Sequence, residues 1–225
     1  MSPRNIAAVL LACLLWTSFD AFAAEPPAAD ASVRLLDRFL LDLDSFRGDF
    51  EQSVVDADGA VVERSSGSLE IERPGRFRWM TVEPYEQWLL ADGLNVWSYD
   101  VDLAQVTVKP QAEALANTPA LLLGGGREAL DAFSVDAPVS GNGFTSVRLV
   151  PDDRQSGFSA VDLVFTDDVL ARMVFLDNLE QQTIVSFANV ETNVAIDADR
   201  FVFVIPDDAD VVGTPASAES PRTGH

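Results

Sequence analysis

The 225-residue chain holds one histidine, His225, at its last position, and one cysteine, Cys13. A Ser–His or Cys–His nucleophile needs an imidazole beside a structured hydroxyl or thiol. A zinc site of the Cys/His type needs several such ligands. Both chemistries are therefore excluded. No G-x-S-x-G occurs. Gly124-Gly125-Gly126 is not followed by Lys-Ser/Thr, so it reads as a hinge between short helices rather than a phosphate-binding loop. Asp56, Asp58 and Gly59 echo a calcium loop, but the third ligand position and the distal glutamate are out of register, and a hairpin turn is the simpler reading. Asp152-Asp153, Asp167-Asp168 and Asp207-Asp208 fall at turns and read as solvated loop charges. A hydrolase with an acidic site would show itself by losing ester cleavage when Asp152 or Asp153 is changed. No catalytic residue, cofactor or metal is expected.

What stands out instead is apolar surplus. Of 14 Phe and 4 Trp, only Phe19, Phe22 and Trp16 fall in the first 23 residues. By strand parity Phe50, Leu69, Ile71, Phe77, Trp79, Leu89 and Trp97 share one side of a sheet. If that sheet curls, they line one concavity. Two readings stay open: an ordinary packed core, or a cavity for an apolar ligand in a barrel-like fold. Arg73 sharpens the choice. It follows Gly67, Leu69 and Ile71 in parity and so points to the apolar face. An unpaired guanidinium there costs several kcal/mol, on the order of an uncompensated buried charge. Either Pro74 ends the strand and Arg73 bends out to solvent, or it stays inward and meets backbone carbonyls of a helical insertion. In the second case it is a latch, each bond contributing roughly 1.5–3 kcal/mol.

These side chains need elements to hold them. Residues 2–5 give a short basic start, 6–16 an apolar run and Ala21-Phe22-Ala23 a small-residue cleavage signature, which together read as a secretory signal peptide, residues 1–23. Eleven apolar residues are too few to span a bilayer. The alternative is a lipobox at Leu10-Leu11-Ala12-Cys13, although the apolar run continues past the cysteine. Behind a flexible lead-in, Asp30 or Ser32 can cap a helix whose stripe is Val33, Leu36, Phe39, Leu40 and Leu43. The period then changes to two. Strands are expected at 46–54, 68–72, 76–79, 87–91, 95–99 and 105–109, and later at about 144–150, 159–166, 169–176, 182–190 and 200–205, separated by turn residues. Between the two sets, residues 111–133 are rich in Ala and Leu and interrupted by Pro119 and the glycines, which predicts two or three short helices in one connection. The end, 206–225, reads as an unpacked tail. The expected architecture is mainly β (α+β): about eleven antiparallel strands forming an incomplete barrel, with an N-terminal helix and helices covering its concave face.

Length predicts one domain. Acidic residues number 36 against 15 basic, a net charge of −21 that excludes nucleic acid as a partner and disfavours anionic lipid surfaces. Arg4 and Asp20 cancel, so removal of the leader leaves that charge unchanged. No later segment approaches the roughly 18 apolar residues of a membrane span, and a soluble exported protein is expected.

The run Phe46-x-Gly-x-Phe-x-Gln52, Ser66-Gly-x-Leu69, Arg73-Pro-Gly-x-Phe-x-Trp79, Pro84-x-x-Gln87, Asp92-Gly-x-x-Val-Trp-x-Tyr-Asp100 and Asn117-Thr-Pro-Ala120 resembles the LolA family. Met173 to Asp177 and Phe201-x-Phe-x-x-Pro206 continue the match in the same order. Members of that family carry lipoproteins from the inner to the outer membrane of Gram-negative bacteria. The resemblance implies a half-barrel domain at 24–212 with a flexible tail at 213–225, and a lid carrying Leu115, Leu121, Leu122 and Leu123. It implies that lipoprotein acyl chains are the ligand, that Arg73 bonds the lid when closed, and that Phe77 lies on the face used with cargo and partners. It further implies a periplasmic monomer that loads triacylated lipoproteins from the LolCDE transporter and delivers them to the receptor LolB. A generic lipid-binding or lipid-sensing module of the same fold is the alternative. LolB shares the fold and is itself a lipoprotein, so Cys13 keeps that relative open. The charge of −21 departs from the more balanced charge common in the family.

Overall fold

A computed structural model describes residues 28–40, 42–115, 122, 127–153 and 156–216. The expected leader lies outside the described residues, as do Leu121, Leu123 and 217–225. Helix α1 covers Ala28–Leu40, followed by strands β1 (Ser45–Val55), β2 (Val61–Glu72), β3 (Arg76–Glu83), β4 (Gln87–Asp92), β5 (Asn95–Asp100) and β6 (Gln105–Pro110). Helix α2 (Gln111–Leu115) and a 3-10 helix (Arg127–Ala132) begin and end the insertion. Then come β7 (Phe133–Val135), β8 (Val139–Gly141), β9 (Phe144–Pro151), β10 (Phe158–Thr166), β11 (Val169–Asp177) and β12 (Gln182–Thr192), a 3-10 helix (Ala198–Phe201) and β13 (Asp210–Gly213).

All thirteen strands form one open sheet, ordered β13-β6-β5-β4-β3-β2-β1-β12-β11-β10-β9-β7, with β8 also on β9. Neighbours in the chain pair by short turns, so a meander results. At the first turn the Asp56 carboxylate accepts from the Asp58 and Ala60 amides at 3.1 and 2.8 Å, and Gly59 takes φ +84°. Asp56 thus closes a hairpin, as the turn reading expects. Of the two long jumps, from β6 to β7 and from β12 to β13, the first decides the architecture. Strand β6 lies towards one margin of the sheet and β7 at the other, so the insertion joining them must cross from side to side. Its described residues Leu115, Leu122 and Ala129 lie buried against the concave face.

Several expectations need correction. The described helix begins at Ala28, which places Asp30 and Ser32 inside it rather than at its cap. No strand forms at 200–205. Asp197 instead caps the 3-10 helix, its carboxylate accepting from the Asp199 amide at 3.1 Å, and residues 202–206 join no strand. Strands β7, β8 and β13 were not expected. Nor is the described part of 206–225 unpacked: β13 pairs parallel with β6, and Asn95 bonds the Ala216 backbone in both directions at 2.7 and 3.2 Å.

Apolar side chains fill the concavity from both halves of the sheet. Phe46, Phe50, Leu69, Ile71 and Phe77 on one side meet Val147, Leu149, Val161, Leu163, Met173 and Val185 on the other. Leu36, Phe39 and Leu40 of α1 lie among them, all buried. Phe39 meets the Phe165 ring edge-on at 6.0 Å. Gly67 makes one close approach possible. It pairs with Phe50, and a Cβ there would run into the Met80 carbonyl oxygen and touch Cε1 of Phe50 at 3.0 Å. Gly67→Ala is expected to lower unfolding free energy by about 2 kcal/mol through overpacking, read as a lower urea midpoint with unchanged slope.

The convex face carries a second, smaller core. Trp97 stacks on Phe203 (centroids 5.2 Å, 12° between planes), and its Nε1 donates to Asp92 at 2.8 Å. Leu90, Val106, Val108 and Phe201 are buried around the half-buried Trp97. The Arg76 guanidinium lies 5.6 Å from the Phe201 ring centre. Buried Glu70 accepts from Arg200 (2.8 Å) and from Arg78 (3.4 Å). The segment after β12 is thereby strapped across the back of β3–β6.

Candidate functional site: the covered concave face

The residues proposed from sequence divide cleanly. Phe50, Leu69, Ile71 and Phe77 are on the concave face, each at most 2% exposed. Register explains why: Phe50 pairs with Gly67, Ile71 with Phe77, Leu69 with Trp79, and Trp79 with Leu89. Directly paired residues share a face. Trp79 and Leu89 are half-buried at the margin of this core, the Trp79 ring 4.4 Å from that of Phe50. Of the two readings left open for this face, the described chain shows the packed one, with α1 and the insertion as its cover. Leu115 and Leu122, from the insertion, are both buried in the same core.

Trp97 is a correction. It is not on the concave face but on the opposite one, in the convex core. The hairpin between β4 and β5 pairs Ala91 with Val96 and Leu90 with Trp97, so an odd-numbered residue on one strand shares a face with even-numbered residues on the next. Leu89 and Trp97, both odd, must fall on opposite faces. Val96, which pairs with Ala91, is the concave residue of β5 that sequence parity missed. The two-residue turn at Gly93 and Leu94 was the available signal. Trp97→Ala is expected to reduce stability by about 3 kcal/mol, the low end for truncating a large aromatic, without changing capture of an apolar ligand; melting and binding measured on one preparation check both.

Arg73 sits just past the end of β2 and stays inward. Its backbone amide is held by the Asp44 carbonyl at 2.9 Å. Its Nη1 donates to the Leu40 carbonyl at the end of α1 (2.7 Å), and its Nη2 donates to the Leu122 carbonyl of the insertion (3.3 Å). The guanidinium carbon lies 5.0 Å from the Phe39 ring centre, a cation–π contact. The expected acceptor class is thus present in the insertion, and a second acceptor, on α1, was missed. Helix carbonyls of a last turn have no intrahelical donor, so Leu40 offers its oxygen freely. Burial lowers the Arg73 pKa to about 10, which leaves it cationic at pH 7. Its Nε is buried with no partner among the described residues. The favourable bonds are therefore opposed by incomplete solvation, and the fastening is of intermediate strength.

The link between α1 and β1 is clamped separately. Asn193 Oδ1 accepts from the Asp44 amide at 2.8 Å, and its Nδ2 donates to the Asp42 carbonyl at 3.1 Å. At the other side of α1, Arg38 pairs with Asp168 of the β10–β11 turn, both more than half exposed. Such a pair contributes roughly 0–1 kcal/mol. The apolar stripe of α1 and the bond from Arg73 are thus its main buried attachments among the described residues.

The geometry defines an open β half-barrel whose apolar hollow side is closed by a helical cover and fastened through one guanidinium. The family model described as outer membrane lipoprotein carrier protein LolA matches residues 42–204. An outer-membrane lipoprotein carrier protein of Methylobacillus flagellatus is 38% identical over 181 residues, covering 80% of this chain and 88% of that relative. One from Methylococcus capsulatus is 36% identical over 203 residues, covering 90% and 95%. A crystal structure of a conserved protein from Thermus thermophilus superposes with a TM-score of 0.51 at 16% identity, covering 82% of this chain and 98% of that one, which supports the fold. The chain belongs to the LolA family.

Proposed function

We propose that the chain is a periplasmic carrier of lipoproteins bound for the outer membrane. It acts as a monomer, without chemistry of its own. It takes triacylated lipoproteins from the inner-membrane transporter LolCDE and hands them to the outer-membrane receptor LolB. Relatives that bear the carrier name at 36–38% identity support this reading. The observation that carries it is the pairing of an apolar sheet face with a cover held by two hydrogen bonds from Arg73.

Each buried methylene contributes roughly 0.8 kcal/mol, so several acyl chains cannot cross water uncovered. A carrier must shield them and still let them go. In the described state Phe50, Leu69, Ile71 and Phe77 are covered by the chain's own side chains. Cargo alkyl chains would take the place of that cover, at the expense of the Arg73 bonds. Reclosure restores those bonds and favours release. Binding is then strong enough to hold cargo and weak enough to yield it.

The test is mass spectrometry of cargo bound to the protein purified from periplasm. Triacylated lipoprotein is the expected finding. Free fatty acid or phospholipid alone would instead favour a generic lipid-binding module. The mass of the mature N-terminus from the same sample decides between cleavage before Ala24 and a lipidated Cys13.

A further inference from the structure

The concave face changes chemistry along its length. Across β1–β4 its apolar floor is interrupted after the rung formed by Phe50, Trp79 and Leu89, while Val185, on the other side of Gln52, stays apolar and buried. One strand step further, Gln52 pairs with Ser65 on β1–β2, and Thr81 pairs with Gln87 on β3–β4. Gln52 is two residues from Phe50, Thr81 two from Trp79, and Gln87 two from Leu89. Residues two apart on a strand share a face, so this polar rung continues the same surface. Together with Glu63 and Tyr85, these side chains line an open groove of about 440 Å³. Phe77 and Leu69 are fully buried, whereas Trp79 and Leu89 are half-buried where the apolar floor meets the groove. The floor therefore surfaces at this point.

We propose that this groove is a binding subsite for the polar junction of a lipidated polypeptide, the stretch where acyl chains join the peptide through ester and amide groups. This rests on the carrier reading and adds a site to it. A ligand whose tails lie on the floor presents its first polar atoms at the Trp79–Leu89 boundary. There it meets two carboxamides and two hydroxyls, groups that both donate and accept and so match ester carbonyls and peptide amides without needing a charge. Gln87 is already oriented, its Nε2 donating to Asp100 at 3.1 Å. Charge favours the same occupant. Glu63 on the groove repels the carboxylate of a free fatty acid or the phosphate of a phospholipid, but not a neutral ester–amide junction. Discrimination then comes from an unfavourable contact with the wrong ligand as well as a favourable one with the right one.

The test compares two probes on the full mature chain: a synthetic triacylated lipopeptide and palmitate. Ser65→Trp fills an open groove instead of a packed core. It is expected to weaken lipopeptide binding at least tenfold while palmitate affinity and melting temperature stay at parent values. The milder pair Gln52→Leu with Thr81→Val removes hydrogen bonding without bulk and is expected to weaken lipopeptide binding about fivefold. Parent-like lipopeptide affinity in these variants overturns the subsite and leaves the carrier reading standing. Equal weakening of both probes also overturns it, because the groove would then be only a mouth to the apolar floor. A parent chain that does not bind the lipopeptide overturns the carrier reading and the subsite together.

Discussion

Arg73→Leu is expected to keep the fold, hold lipidated cargo more tightly and release it more slowly. The variant loses the two charge-assisted bonds that fasten the cover in the described state. Each such bond contributes roughly 1.5–3 kcal/mol, but the substitution also removes a partly unsatisfied buried cation, which offsets part of the loss. A net shift of about 2 kcal/mol away from the closed state corresponds to roughly thirtyfold in the open-to-closed ratio. Hydrogen exchange at amides of α2 and the 3-10 helix at 127–132 should quicken, and transfer to a membrane-bound acceptor should slow. Arg73→Lys keeps the charge but loses the planar fork that reaches two carbonyls at once, so it should fall between parent and leucine. Unchanged exchange and unchanged transfer in the leucine variant would remove the latch from the mechanism.

Phe77→Glu should have the largest effect on stability and abolish cargo capture. Phe77 is fully buried and pairs with Ile71 and Ala91 at the centre of the concave face. The inward cation on this face, Arg73, is already engaged by the Leu40 and Leu122 carbonyls, so a carboxylate there is poorly compensated and several kcal/mol, on the order of a third of a typical domain's stability, would be lost. Burial raises the pKa of such a carboxyl above its unfolded value. The destabilisation is therefore smallest below the unfolded pKa, where the group is neutral in both states, and grows as pH rises through and above it. Melting curves at pH 4 and pH 7 should differ more for the variant than for the parent. Phe77→Leu, which keeps the face apolar, should lose less than about 2 kcal/mol and retain capture. Capture of lipopeptide by a folded Phe77→Glu chain at pH 7 would remove Phe77 from the ligand face.

Much of the half-barrel was legible because strand periodicity is a local property. Phe50, Leu69, Ile71, Phe77, Trp79 and Leu89 each fall on the expected face because alternation along a strand survives whatever the neighbours do. Trp97 did not, because the phase between two strands depends on the loop joining them, and a two-residue turn reverses odd and even. The stretch 200–205 failed for a related reason. Phe201 and Phe203 alternate like a strand, yet no free edge is available at their position. They pack onto the convex face through Trp97 and Arg76 instead. Arg73 was readable as inward from parity and as needing carbonyls from the cost of burying its charge. That one of them belongs to Leu40 could not be read, since the end of α1 reaches it only through the tertiary docking of the helix. The parallel strand β13 carries two valines and a glycine among acids, too weak a signal to separate it from a tail.

One guanidinium grips two pieces of chain that are 82 residues apart, Leu40 and Leu122. Neither piece can drift off alone without stranding its own half of the fork in an oily setting. Helix and insertion should therefore let go in concert, and a dye placed on either should report the same single relaxation rate when cargo arrives.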